Sequence, residues 1–211
     1  MAEAILSANE LMIKAVRDFD HGALVRMLAQ GVFADTRQWD DGTALHVCAE
    51  TDNAEAMQIL LAQRRAPNIN AQNRVRLFPS SRSSGVPLHS PFVWIKSCPA
   101  PVPSRLCQVG DTPLRVACER GGLRCVVALI SARQFQTLNV DLRGNGGFTP
   151  LMAACANNRT SCVRALLDAP TAPDLELTDY QNRTALDLAP TDLIRDMLRV
   201  RHTSNLGIFF C

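Results

Sequence analysis

A short motif recurs four times in this chain of 211 residues, and this recurrence constrains the fold more than any other feature. Each copy begins with threonine, continues through alanine or proline to leucine, and ends in small residues. The copies begin at Thr43, Thr112, Thr149 and Thr184, and a weaker fifth begins at Glu10. A second apolar stretch follows each copy. Threonine favours helix starts, and proline is tolerated at the first helical position. The pattern predicts an all-α chain of about five helix-turn-helix units that bury their apolar faces by stacking.

The motif resembles the ankyrin repeat, whose signature is T-P-L-H-x-A-A, a short turn, and V-V-x-x-L-L. The segments Thr43-Ala-Leu-His-Val-Cys-Ala and Thr149-Pro-Leu-Met-Ala-Ala-Cys carry the resemblance most fully, and it covers the chain except about 75–108 and the last ten residues. It implies an ankyrin-repeat solenoid with short finger turns between units. Only His46 keeps the motif histidine. Arg115, Met152 and Asp187 replace it, and we expect these changes to weaken individual turns.

One interval between motifs is too long. Thr43 and Thr112 lie 69 residues apart, and removal of the 34 residues of 75–108 restores a normal period of 35. This segment holds 6 of the 12 prolines, 7 serines and four basic residues, but no acidic residue. We expect it to be disordered or loosely ordered. The predicted organisation is units 1 and 2 in 1–74, an insertion in 75–108, units 3–5 in 109–201, and a tail in 202–211.

Three explanations of the 75–108 segment are open. In the first explanation, the segment is a retained intron or a gene-model error. Arg74-Val75-Arg76 can be encoded by a splice-donor sequence, and Cys107-Gln108 can end in the acceptor CAG. Alternatively, it is a surface insertion, which the fold tolerates because loop closure becomes costly only slowly with length. The third explanation is a functional binding loop anchored by Phe92-Val-Trp94.

Several classes of function lack their usual sequence signals. A net charge of +2 is too small to indicate nucleic-acid binding, and no apolar run reaches the length of a membrane span. The N-terminus lacks the pattern of a signal peptide. The eight cysteines lack zinc-ligand spacing, and no phosphate-loop, dinucleotide, zinc-protease or nucleophile-elbow motif occurs. We therefore expect a non-catalytic, cofactor-free monomer of the cytoplasm or the nucleus.

The resemblance implies that a protein partner of unknown identity binds on a concave face made of fingers and first helices. The alternative is a regulatory subunit or inhibitor that occludes an enzyme or a transcription factor. Trp39 is the strongest candidate, because tryptophan, tyrosine and arginine are enriched in interface hot spots. Alternatively, Trp39 packs against an adjacent finger and has a structural role instead of contacting a partner. The predicted partner-binding residues are Arg37, Trp39, Asp40, Arg74, Asp111, Glu119, Arg120, Arg143 and Tyr180.

Overall fold

The structure is a computed structural model, and it describes residues 8–32, 42–63, 67–73, 110–132 and 138–205. These residues form α-helices and one short 3₁₀ turn, Asn145–Gly147, and contain no β-strand. The helices are α1 (Ala8–Arg17), α2 (His21–Ala29), α3 (Ala44–Thr51), α4 (Ala54–Leu61), α5 (Pro113–Arg120), α6 (Leu123–Ser131), α7 (Pro150–Ala156), α8 (Thr160–Leu167), α9 (Ala185–Leu188) and α10 (Asp192–Asn205).

The helices pair into five units that stack in chain order. In each unit an odd-numbered first helix is followed by an even-numbered second helix. First helices contact the first helices of neighbouring units, and second helices contact second helices, so the stack has two helical layers. The predicted all-α solenoid of five helix-turn-helix units is confirmed.

Threonine side chains start the first helices of units 3, 4 and 5. The hydroxyl oxygens of Thr112, Thr149 and Thr184 each accept a hydrogen bond from the backbone N–H three residues later, at 3.2, 3.3 and 3.3 Å. Proline follows the first two of these threonines at the start of the helix, where its missing N–H costs no hydrogen bond. The helix starts therefore lie where the motif predicts them.

In units 1 to 4 the turn between the two helices contains a left-handed residue at a fixed position. Phe19, Asp52, Gly121 and Asn158 all have positive φ, between 53° and 85°. Each lies nine residues after the start of its motif, including Phe19, which lies nine residues after Glu10. Asparagine, aspartate and glycine adopt this conformation more readily than a bulky residue does. The shared register confirms that the weak first copy is a genuine repeat unit.

Small residues let the first helices approach one another closely. Two adjacent positions of the motif carry only alanine or cysteine in units 2, 3 and 4, and all six side chains are fully buried. These residues are Cys48, Ala49, Ala117, Cys118, Ala154 and Cys155. Larger side chains there would push the units apart, because protein interiors are close-packed.

A backbone hydrogen bond of 2.9–3.1 Å joins the two ends of each of the last three fingers. The bond joins Gly144 to Phe148, Asp179 to Arg183, and Asn73 to Asp111. The bonded residues lie four apart in the first two fingers but 38 apart in the finger between units 2 and 3. That finger is therefore longer by 34 residues, which equals the surplus predicted from the motif spacing.

Units 2 and 3 are in direct contact although the chain between them is long. His46 Nδ1 accepts the backbone N–H of Thr43, so His46 Nε2 carries the proton and donates to the carbonyl of Asp111 at 2.8 Å. The backbone N–H of Asp111 donates to Oδ1 of Asn73 at 2.6 Å. Gly110 lies so close to Asn73 that a Cβ atom would overlap its carbonyl group. Residues 74–109 lie outside the described residues, so the predicted disorder of 75–108 stays an expectation.

Helix α10 differs from the other second helices in length. It has 14 residues and ends at Asn205, four residues beyond the predicted end of unit 5 at 201. No helix in the described ranges is both long and apolar enough to span a membrane.

Deletion of residues 75–108 should leave the stack intact and raise its free energy of unfolding by about 2 kcal/mol, because each halving of a loop recovers about 0.6 kcal/mol. Three residues would then separate Asn73 from Asp111, as in the other two fingers. Gly110 would lie at the position of Gly147 and Asn182, which both have positive φ. Chemical unfolding followed by circular dichroism measures the change.

The matched control is a deletion of residues 71–104, which has the same length but removes the buried Ala71 and the hydrogen-bonded Asn73. We expect this control to be less stable than the full chain. A 75–108 deletion that loses helicity or unfolds without cooperativity would contradict the predicted joint.

Candidate partner-binding surface

Side-chain oxygens tie the fingers to one another. Asn68, Asn139 and Asp174, in three consecutive fingers, each accept the backbone N–H two residues later, at 3.0, 2.9 and 2.9 Å. Asn70 and Asp141 accept a backbone N–H from the following finger, both at 3.0 Å. The finger backbone is thus held within each finger and between neighbours, which fixes the direction of the finger tips.

A chain of ion pairs supports the finger between units 2 and 3. Arg115 Nε donates to Asp111 at 2.6 Å, and Arg115 Nη1 donates to Glu119 at 2.8 Å. The same oxygen of Asp111 accepts the backbone N–H of Asn145 from the next finger, at 2.9 Å. Arg115 is only 8% exposed. The predicted residues Asp111 and Glu119 are therefore brought together by Arg115, and both carboxylates have partners within the stack.

The predicted residue Tyr180 is half-buried where two fingers meet. Its backbone N–H donates to the carbonyl of Gly146 at 3.2 Å, and its ring lies 2.7 Å from where a Cβ on Gly147 would be. The neighbouring Asp179 is buried and accepts a hydrogen bond from Arg183 Nε at 2.8 Å. The tyrosine is consequently held by its backbone, and the residue as a whole is partly exposed.

Arg120 and Arg143 are the exposed members of the predicted set. Arg120 is the last residue of α5, and Arg143 lies just before the 3₁₀ turn. The carbonyl of Arg143 accepts a hydrogen bond from Gln72 of the preceding finger at 2.9 Å. Within the part of the chain that the structure describes, neither guanidinium group forms an ion pair. Both are basic groups on a fixed backbone.

Four of the nine predicted residues cannot be placed relative to these. Arg37, Trp39, Asp40 and Arg74 lie outside the described residues.

Two of the residues that replace the motif histidine form polar contacts of their own. Asp187 accepts from both the backbone N–H and the hydroxyl of Thr184 at 2.8 Å, which closes a capping box. Arg115 bridges two carboxylates, and Met152 is buried in the core. Sequence analysis did not assign a role to Arg115. Acidic residues four before and four after an arginine are a helix ion-pair signal that would have identified one.

The five cysteines of the described helices are unreactive because they are buried. Cys48, Cys118, Cys125, Cys155 and Cys162 are buried free thiols. Burial raises the pKa of each of them, to about 12 for Cys125 and Cys155. Thiols with such pKa values are protonated at neutral pH and are poor nucleophiles. Among the described residues, no three histidine, cysteine, aspartate or glutamate side chains are grouped to hold a metal ion.

Comparison with known families gives two matches. A model of the ankyrin repeat matches residues 40–74, and a model of ankyrin repeats in three copies matches residues 94–179. Together they cover more than half of the chain. The first match ends at the residue before the predicted insertion, and the second begins within it. A search of curated proteins finds no match.

Replacement of Asp141 by asparagine should raise the free energy of unfolding at pH 7, by less than about 1 kcal/mol. Burial raises the pKa of Asp141 above 3.8, and the charge of Asp174 raises it further although a backbone N–H lowers it. The ionised form is therefore disfavoured in the folded state. Asparagine keeps the acceptor oxygen without the charge, as Asn70 already does in the preceding finger.

The advantage of Asp141→Asn should disappear as the pH falls through the raised pKa of Asp141, because the wild-type carboxyl is then protonated too. Asp141→Ala is the control, and loss of its hydrogen bond should lower stability by about 1 kcal/mol. Urea unfolding between pH 3.5 and 7 tests both. A constant difference between Asp141→Asn and wild type across this range would contradict the argument.

Asp111→Ala should lower the free energy of unfolding by about 2–3 kcal/mol, because it leaves Arg115 without its nearest carboxylate and the N–H of Asn145 without an acceptor. Arg120→Ala should change it by no more than about 0.5 kcal/mol, because Arg120 is exposed. Thermal melts of both variants measure this contrast. Equal stability losses would show that Asp111 is not part of the framework.

Proposed function

Because this chain belongs to the ankyrin repeat family, whose stacks are generally protein–protein interaction modules, we propose that it binds a protein partner on its finger face. We define the finger face as the fingers between units together with the C-terminal ends of the first helices. On this proposal the chain contributes no catalytic step. Its role is to present side chains in a fixed arrangement to a partner.

The observation that carries this proposal is that the fingers are bonded to one another while Arg120, Arg143 and part of Tyr180 face solvent. The hydrogen bond from Tyr180 to Gly146 joins the finger that carries Tyr180 to the finger that carries Arg143. Little backbone freedom is then left to lose on binding, and preorganisation of this kind favours affinity. Arginine and tyrosine are also the residue types enriched in hot spots.

The guanidinium groups of Arg120 and Arg143 favour a partner segment that carries carboxylates, whereas the finger carboxylates of Asp141 and Asp174 oppose one. The finger carboxylates of Asp111 and Asp179 are neutralised by Arg115 and Arg183, at 2.6 and 2.8 Å. Arg120 and Arg143 have no such neighbour in the described ranges. A carboxylate can accept two parallel hydrogen bonds from one guanidinium group, which adds geometric specificity.

The proposal extends to residues beyond the described ranges. By repeat alignment Arg37, Trp39 and Asp40 belong to the finger between units 1 and 2, and Arg74 belongs to the finger between units 2 and 3. We also propose that the chain acts as a monomer in the cytoplasm or nucleus. The five buried free thiols support a reducing compartment.

Affinity capture from the source cell, with the full chain as bait, tests the proposal. The combined variant Arg120→Ala, Arg143→Ala and Tyr180→Ala should lose a captured partner by about 30-fold or more, since one hot spot contributes about 2 kcal/mol. Arg199→Ala on α10 is the matched control, because Arg199 is also exposed but lies on a second helix. Trp39→Ala should also weaken capture while changing stability by less than about 1 kcal/mol.

The stability of every variant is measured beside its binding. Full retention of the partner by a folded triple variant would contradict the finger face. Equal loss with Arg199→Ala would show that the contact lies elsewhere on the stack.

A further inference from the structure

Asn145 is the one asparagine of this chain that is followed by glycine. The backbone nitrogen of the next residue can attack the side-chain amide of an asparagine, and a side chain on that next residue hinders the attack. Glycine has no side chain and adopts the widest range of backbone conformations. The pair Asn145-Gly146 is therefore the position in the sequence where this attack is least hindered.

The structure leaves both reacting groups of this pair available. Asn145 and Gly146 are partly exposed, and Gly146 has a φ of 72°. Within the described ranges, neither the side-chain amide of Asn145 nor the N–H of Gly146 forms a hydrogen bond. The N–H of Asn145 donates to Asp111 at 2.9 Å, and the carbonyl of Gly146 accepts from Tyr180 at 3.2 Å. These bonds hold the turn without occupying the nitrogen and the amide that react.

Two asparagines further along the chain provide a comparison. Asn157 and Asn158 are more exposed than Asn145, but their side chains have partners and neither is followed by glycine. The amide of Asn157 donates to the carbonyl of Ala153 at 2.9 Å, and Oδ1 of Asn158 accepts from the hydroxyl of Thr191 at 3.3 Å. If exposure alone set the rate, these two would react first. Steric hindrance and hydrogen bonding instead favour Asn145.

We propose that Asn145 is a site of non-enzymatic deamidation. The nitrogen of Gly146 bonds to Cγ of Asn145, and the Nδ2 group leaves as ammonia with the proton of that nitrogen. Water then opens the resulting succinimide ring. Opening at Cγ leaves aspartate, whereas opening at the main-chain carbonyl leaves isoaspartate, whose main chain runs through Cγ. Either product replaces a neutral amide by a carboxylate.

The reaction alters the finger face, although it does not depend on the proposed function. Isoaspartate adds one atom to the main chain between position 145 and Gly146. The N–H of position 145 is bonded to Asp111, so the additional atom moves the carbonyl of Gly146 away from its present place. The hydrogen bond from Tyr180 to this carbonyl should then weaken.

Peptide mapping of the folded chain, after incubation at neutral pH in water enriched in heavy oxygen, tests the reaction. Trypsin cleaves after Arg143 and Arg159, so one peptide contains Asn145, Asn157 and Asn158. Asn145 should react about tenfold faster than either of the others, which corresponds to about 1.4 kcal/mol in activation free energy. The new carboxyl group should carry one heavy oxygen, because water opens the ring. Digestion in ordinary water excludes reaction during digestion.

Asn145→Gln is the matched control, because it keeps the amide but closes the ring more slowly through its longer side chain. This variant should stay unmodified and keep the Tm of the wild type. In the modified wild type, the backbone amide of Tyr180 should exchange about tenfold faster than in the fresh protein. Neither readout uses a partner, so both are independent of the proposed function.

Equal reaction of the three asparagines, or an Asn145 that stays unmodified in the folded wild-type chain, would overturn the proposal. Unchanged exchange at Tyr180 in the modified protein would overturn its structural consequence.

Discussion

The hydrogen bonds between Asn73 and Asp111 hold the two parts of the stack in register. Repeat units bury their apolar faces only against neighbours, and about three or more are needed for a stable array. Units 1 and 2 would therefore be too few without unit 3. The Asn73 contacts and the His46 bond to the carbonyl of Asp111 connect them to it across 34 additional residues. The same two units are also joined by packing of α3 against α5 and of α4 against α6.

The polar residues of the fingers divide into two groups by their partners. The side-chain oxygens of one group, which includes Asn70, Asp141 and Asp179, accept hydrogen bonds from backbone N–H groups or from an arginine of the stack. The other group, Arg120 and Arg143, is exposed, and the guanidinium groups of its members form no ion pair within the described ranges. A partner-binding surface of this kind can vary in sequence without loss of the fold, because the hydrogen bonds that fix the fingers come from different residues. Asp179 belongs to the first group, and the neighbouring Tyr180 bonds to the preceding finger through its backbone N–H.

The motif was sufficient to predict the architecture because its signals are local. Threonine at a helix start and the Gly121 turn act within a few residues of their own position, so the sequence locates them directly. Phe19 adopts the left-handed conformation although a bulky residue does not favour it, and only its register nine residues after Glu10 points to this turn. The contacts of Asp111 could be predicted only in part, because one depends on a helical spacing of four and the others depend on how the next finger stacks. No motif in the sequence predicts the length of α10.

Asp111 links the fold to the location of the proposed binding surface. Its backbone receives bonds from unit 2, and its carboxylate receives bonds from Arg115 of unit 3 and from the following finger. A residue that satisfies so many groups cannot also offer its charge to a partner without exposing buried donors, which costs free energy. The described side chains of the finger that carries the additional residues, Asn73 and Asp111, are thus engaged in structure. Of the described candidates, Arg120 and Arg143 are exposed and Tyr180 is half-buried, so the proposed contact rests on these three residues rather than on Asp111.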